Sequence, residues 1–185
     1  MEVPREQSGD VLQFWFTETK PQQWFRKDPS FDGLLRDRFA DLTQTAISGG
    51  LGGWASTARG GLALVLLLDQ FPRQIWRNTP KAFAGDRQAL ALSQGAVARG
   101  WVEKEAEQAR RQFWLMPLMH AEDLAVQESA LPLFARFTDT RTADFARRHR
   151  DVIARFGRFP HRNACLGRES TFVELAFLKT PGSRF

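Results

Sequence analysis

The run Leu62-Ala63-Leu64-Val65-Leu66-Leu67-Leu68 constrains the fold more than any other stretch of the chain. It is apolar on every side, so whatever it forms has to be covered on all faces. A strand is conceivable, but the leucine bias and the polar flanks favour a helix, and such a helix is expected at the centre of the molecule. Its continuation turns polar. Asp69 and Arg73 stand four apart, share a face in a continuing helix and can pair. Pro72 removes a backbone donor and weakens or kinks the helix there. Burying an acid and an arginine is costly unless they meet, so the pair either locks two helices together or belongs to a site.

The remaining patterns are also helical. After a polar lead-in, Met1–Ser8, Asp10 can cap a short helix carrying Val11, Leu12, Phe14, Trp15 and Phe16. A longer helix is expected from Asp32, with Leu34, Leu35, Phe39, Leu42, Ala46 and Ile47 on one side. The glycines of SGGLGG, residues 48–53, stop it, and they lack the Gly-Lys-Ser/Thr of a phosphate-binding loop. Further helices are expected over Asp86–Arg99 and over Glu103–Trp114, the latter closed by Pro117. Another opens near His120 and carries Leu124, Gln127, Leu131 and Phe134. Ala143–Phe156 should bury Phe145, His149, Val152 and Ile153 and end at Gly157, and a short helix with Phe172, Val173 and Leu175 should start at Ser170 or Thr171. No alternation of apolar and polar residues persists. The expected fold is all-α: one domain over residues 1–185, a compact array of about seven to nine helices paired as hairpins around the central one.

Composition limits the function classes. Hydrophobic residues at 43%, with sixteen Phe, six Trp and no Tyr, place much of the core volume in aromatic rings. One cysteine, Cys165, excludes an internal disulfide and a cysteine-only metal site. The N-terminus has no apolar run of signal-peptide length and Leu62–Leu68 is too short to span a bilayer, so no membrane partner and a reducing cytoplasm are expected. Lys and Arg together number 26 against 21 acids, a formal charge of +5, and most of the cations are arginine. Acids are spread through the chain and no binding motif is present, which disfavours nucleic acid as a partner of the Arg147-Arg148-His149-Arg150 face.

Two more clusters could carry chemistry. In His120-Ala121-Glu122-Asp123, a histidine beside two carboxylates can act as a base of tuned pKa, and near a helix start the acids would also complement the dipole. No second histidine stands at ligand spacing, so no metal is assigned, and the cofactor is left unknown. The stretch Arg147–Glu174 holds seven arginines and two of the three histidines. Its Arg158, His161, Arg162, Asn163 and Arg168 can bind phosphate or carboxylate in forked geometry, or pin a loop to carbonyls and carboxylates. The leading expectation is a polar pocket for a small anionic phosphate or carboxylate ligand, with hydrolysis as the least demanding reaction. His120, Glu122 and Asp123 would be catalytic; Asp69, Arg73, Arg158, His161, Arg162, Asn163 and Arg168 would bind the ligand. The acids of the first two clusters should then face the arginines of the third. The alternatives are a helical module for a protein or peptide partner, with an exposed patch drawn from Trp24, Trp54, Trp76, Trp101 and Trp114, and nucleic-acid binding through the arginine-rich helix.

Three segments, LLLDQFPRQIWRNTPKAFAGD from Leu66, FWLMPLMHAEDLAVQE from Phe113 and RFGRFPHRNACLGRESTFVE from Arg155, together resemble the bacterial family catalogued as domain of unknown function 924. The resemblance runs from Phe14 to Leu178. It implies an all-helical fold similar to tetratricopeptide-repeat proteins and carries over no activity, substrate or catalytic residue. Ala121 departs from the serine typical of the family pattern, which removes a hydroxyl as nucleophile at that position.

Overall fold

Leu62–Leu68 lies at the centre of the computed structural model, which describes residues 6–184; every residue of the run is at most 4% exposed. The run is not one regular helix. Thr57 caps α4 (Ala58–Val65) by accepting from the Gly60 amide, Leu66–Gln70 form a π turn, and α5 (Phe71–Ile75) follows. The wider turn puts Pro72 in the first turn of a new helix, where a missing N–H leaves no bond unmade.

Around this axis stand α1 (Glu6–Gln13), α2 (Pro21–Trp24), α3 (Pro29–Ile47), α6 (Asp86–Ala98), α7 (Trp101–Lys104), α8 (Gln108–His120), α9 (Leu124–Phe137), α10 (Thr140–Phe156) and α11 (Phe172–Phe177). Seven of the α-helices reach eight residues or more, and no strand occurs among the described residues. The α4 helix packs on α1, α6 and α8, while α5 packs on α3. The last long helices, α8, α9 and α10, pack in succession through two short connections. The core is aromatic where the sequence is: Trp15 meets Phe71 at 5.3 Å and Phe113 at 5.5 Å between ring centroids, and Phe14 meets Phe39 at 5.0 Å. A smaller cluster of Val152, Ile153 and Phe159 carries the arginine-rich loop after α10.

Several elements differ from expectation, each for a local reason. The Met1–Ser8 lead-in lies partly outside the described residues, and from Glu6 it is already helix. The α3 helix starts at Pro29 because Asp28 accepts from the Ser30 and Phe31 amides and proline suits a first turn. The α8 helix runs through Pro117; it loses one backbone donor there, yet every residue from Phe113 to Met119 is buried, and that packing holds the helix. His120 is therefore the last residue of α8 rather than an opening residue of α9, which Asp123 caps by accepting from the Val126 amide. Phe145 is 38% exposed rather than buried, and Phe172, Val173 and Leu175 face outward. Trp24, Trp54 and Trp114 are buried and Trp76 and Trp101 half-buried, so these rings form no exposed patch.

Candidate functional site

The π turn after α4 aims a carboxylate at the end of α8. Asp69 is wholly buried, and its Oδ1 lies 2.7 Å from Nδ1 of His120. Its Oδ2 accepts from Gln70 Nε2 at 2.6 Å. Arg73, one turn on, donates to the Asp69 carbonyl at 2.6 Å and lies 3.4 Å from Oδ1. Burial pushes the Asp69 carboxyl up, but the charge of Arg73, with the hydrogen bonds from His120 and Gln70, wins and holds it below the ordinary range. Burial pushes the His120 imidazole down, and Arg73 and Arg162 add to that against the pull of Asp69. A neutral ring facing an ionised carboxylate donates from Nδ1, which leaves the lone pair on Nε2.

The arginines continue from there. Arg73 forks onto Asp86 at 2.8 and 2.9 Å, and Arg162 reaches the same carboxylate at 3.3 Å. Asp86 can come this close because residue 85 is glycine: a Cβ there would sit 2.3 Å from the Leu68 carbonyl oxygen. Arg162 is 6% exposed and lies over the rings of Phe83 and Phe159, 4.7 and 4.5 Å from their centroids. Its Nε has no hydrogen-bond partner among the described residues. Burial, with the charge of Arg73, pushes its guanidinium down to about 10, so it stays protonated at neutral pH.

All three histidines gather here. The His149 ring lies 6.2 Å from that of His120 and 5.5 Å from Phe159, which is 5.6 Å from His161. His149 Nδ1 lies 2.7 Å from the Phe145 carbonyl. Burial holds both His149 and His161 down to about 3, with neighbouring positive charge helping.

The other residues singled out from sequence are held in structural contacts. Glu122 accepts a fork from Arg168 at 2.7 and 2.9 Å and the Phe159 amide at 2.7 Å, so both of its oxygens are engaged. Asp123 caps α9. Both carboxylates thus have hydrogen-bond partners other than His120. Arg168 also donates to Asn163 Oδ1 at 2.9 Å, and Asn163 donates to Ser170 and Glu174. Arg158 forks onto Glu174 rather than joining the Asp69 group. Asp69, Arg73, His120 and Arg162 thus form one contiguous group; Glu122, Asn163 and Arg168 form a clasp that holds the loop beside it. No set of His, Cys, Asp and Glu able to hold a metal occurs among the described residues.

In front of this group lies a cleft of about 650 Å³ between α2, α8 and α10. The α8 helix contributes Gln112, Met116, Met119 and His120, at offsets of four, seven and eight that define one helix face. The α10 helix contributes Thr142, Phe145 and His149, and Trp24, Phe25 and Arg26 close a third side. Asp69 stands behind His120, away from the opening. A second cavity of about 410 Å³, beside Trp54 and Arg59, includes none of these residues.

Sequence reasoning missed Asp86 and Phe83 as parts of the site, and it placed His149 and Phe159 in the arginine-rich stretch without joining them to His120. Asp86 lies thirteen positions from Arg73 with a turn between them, and no helical spacing rule links such a pair. The glycine before Asp86 was the available signal, since a glycine at a helix start often marks close backbone approach.

The family model described as bacterial protein of unknown function (DUF924) matches residues 11–182. A solved structure of a protein of unknown function from Agrobacterium tumefaciens superposes with a TM-score of 0.88 at 40% sequence identity, covering 94% of this chain and 97% of that one. No curated protein matches the chain.

Proposed function

The chain belongs to the bacterial family of unknown function DUF924, and we propose that it hydrolyses a small anionic molecule bound in the cleft between α2, α8 and α10. The observation that carries this reading is the buried Asp69 carboxylate 2.7 Å from Nδ1 of His120, with the ring itself lining the cleft. In it, Asp69 fixes the tautomer and Nε2 of the neutral His120 takes a proton from water. The resulting hydroxide adds to an ester or phosphoester centre, the bond to the leaving group breaks, and the proton passes to that group. Arg73 and Arg162 bind no substrate in this scheme. They keep Asp69 ionised and disfavour the imidazolium, so the base is ready at neutral pH.

Succession of α8, α9 and α10 through short turns supports kinship with tetratricopeptide-repeat hairpins within a single domain, and a cytoplasmic setting belongs to the same reading. Nucleic acid is the less supported partner, since Arg147 pairs with Asp144 and Arg150 with Asp151. The test is turnover of p-nitrophenyl esters and p-nitrophenyl phosphate by the full chain. Expected is hydrolysis that His120→Gln abolishes and that falls on the acid side with an inflection below pH 6.5. A rate untouched by His120→Gln, or no rate above buffer for either probe class, contradicts the proposal.

A further inference from the structure

The cleft is chemically graded along its length. At one end are the rings of His120 and His149. At the other stand Arg26 and Arg141, both exposed, neither in an ion pair with an acid among the described residues. The lining carries one acid, Asp139, whose Oδ1 is occupied by the Thr142 amide at 2.7 Å, so the cations remain in excess. Their position follows from the packing. Phe25, just before Arg26, stacks on Phe113 at 6.1 Å, and Phe113 is seven residues before His120 on α8. Arg141 is eight residues before His149 on α10. At 1.5 Å per residue, these offsets place Arg141 on α10, and the Phe113 contact beside Arg26 on α8, about 10–12 Å along the helix from the histidine of the same helix. The wall between is apolar, formed by Met116, Met119 and Phe145.

We infer that the cleft takes an elongated amphipathic acid: a carboxylate or phosphate at the Arg26–Arg141 end, an apolar body on the order of 10 Å along the methionines, and any reactive bond at the far end beside His120. The inference rests on the proposed function for the role of the far end only; recognition of the acid end stands on the charge gradient of the cleft. Methionine walls adapt to flexible apolar bodies, and two exposed arginines select for an anionic head without closing the mouth.

The test uses methyl-labelled methionine in the full chain, where only three methionines exist and two of them line the cleft. Octanoate is titrated against octan-1-ol, which has the same body and no charge. Expected is saturable movement of the Met116 and Met119 methyl signals with octanoate and tighter binding of octanoate than of octan-1-ol. The double variant Arg26→Ala/Arg141→Ala should weaken octanoate about fivefold to tenfold and leave octan-1-ol unchanged. Equal affinity for the two probes, no effect of the double variant, or unmoved methionine signals overturns the inference. His120→Gln should keep octanoate binding. If ester turnover fails while the octanoate selectivity holds, the catalytic reading falls alone.

Discussion

Asp69 and His120, 51 positions apart in the chain, meet through a 2.7 Å contact between Oδ1 and Nδ1, with the carboxylate wholly buried. This contact ties the turn after α4 to the end of α8, and it explains why the most apolar run of the chain is followed directly by an acid. Asp69→Asn keeps the shape and removes the charge. The expected cost is about 2–4 kcal/mol, because Arg73 and His120 then sit beside an uncharged amide in a buried place while Arg73 keeps Asp86. Urea unfolding with an unchanged slope checks it; a loss under about 0.5 kcal/mol would show that Asp86 alone satisfies Arg73.

Stability should fall on acidification earlier than carboxylate titration alone requires. His149 and His161 are held to about 3 in the folded chain, against 6.5 for an unperturbed histidine, and His120 is lowered too. Between those values the unfolded chain binds more protons than the folded one, so stability rises with pH across that window. It is fully present above 6.5 and lost progressively as pH falls towards 3. By pH 5 the expected loss is about 2 kcal/mol for each fully shifted histidine. Thermal unfolding from pH 7.5 to 4.5 checks this, and the pH dependence should shrink in His149→Phe. A flat profile down to pH 5 would mean that these rings are not held neutral.

The clasp of Glu122 on the arginine-rich loop should be separable from catalysis. Glu122→Gln leaves an acceptor for the Phe159 amide but removes the ionic fork to Arg168, at a cost of about 1–3 kcal/mol. Amide exchange at Phe159 should quicken while exchange in α4 stays unchanged. Equal protection of Phe159 in both proteins would show that the loop is held by Phe159 packing alone.

The fold was legible because it follows from periodicity and a single apolar run. Leu62–Leu68 had to be central, and the C-cap at Gly157 and the start at Thr171 follow from one-residue chemistry. The helix through Pro117 was not legible, because the burial that carries it is made by distant elements. That error moved His120 from the end of one helix to the start of the next. Asp69 and Arg73 could be paired from spacing alone, whereas Asp86 and Phe83 reach Arg162 only through tertiary packing around Gly85. Glu122 and Asp123 looked equivalent to each other in sequence. Their fates, an ionic clasp and a helix cap, depend on where Arg168 and Val126 come to lie.

The account rests on a neutral His120 that donates from Nδ1 to Asp69 and keeps Nε2 unprotonated towards the cleft. Nitrogen-15 NMR of the imidazoles at pH 7 measures this directly, with the three histidines assigned by His→Gln variants. The predicted spectrum shows His120 with a protonated Nδ1 and a bare Nε2, shifting towards a tautomer mixture in Asp69→Asn. An imidazolium at His120, or a proton on Nε2 with Nδ1 bare, would contradict it.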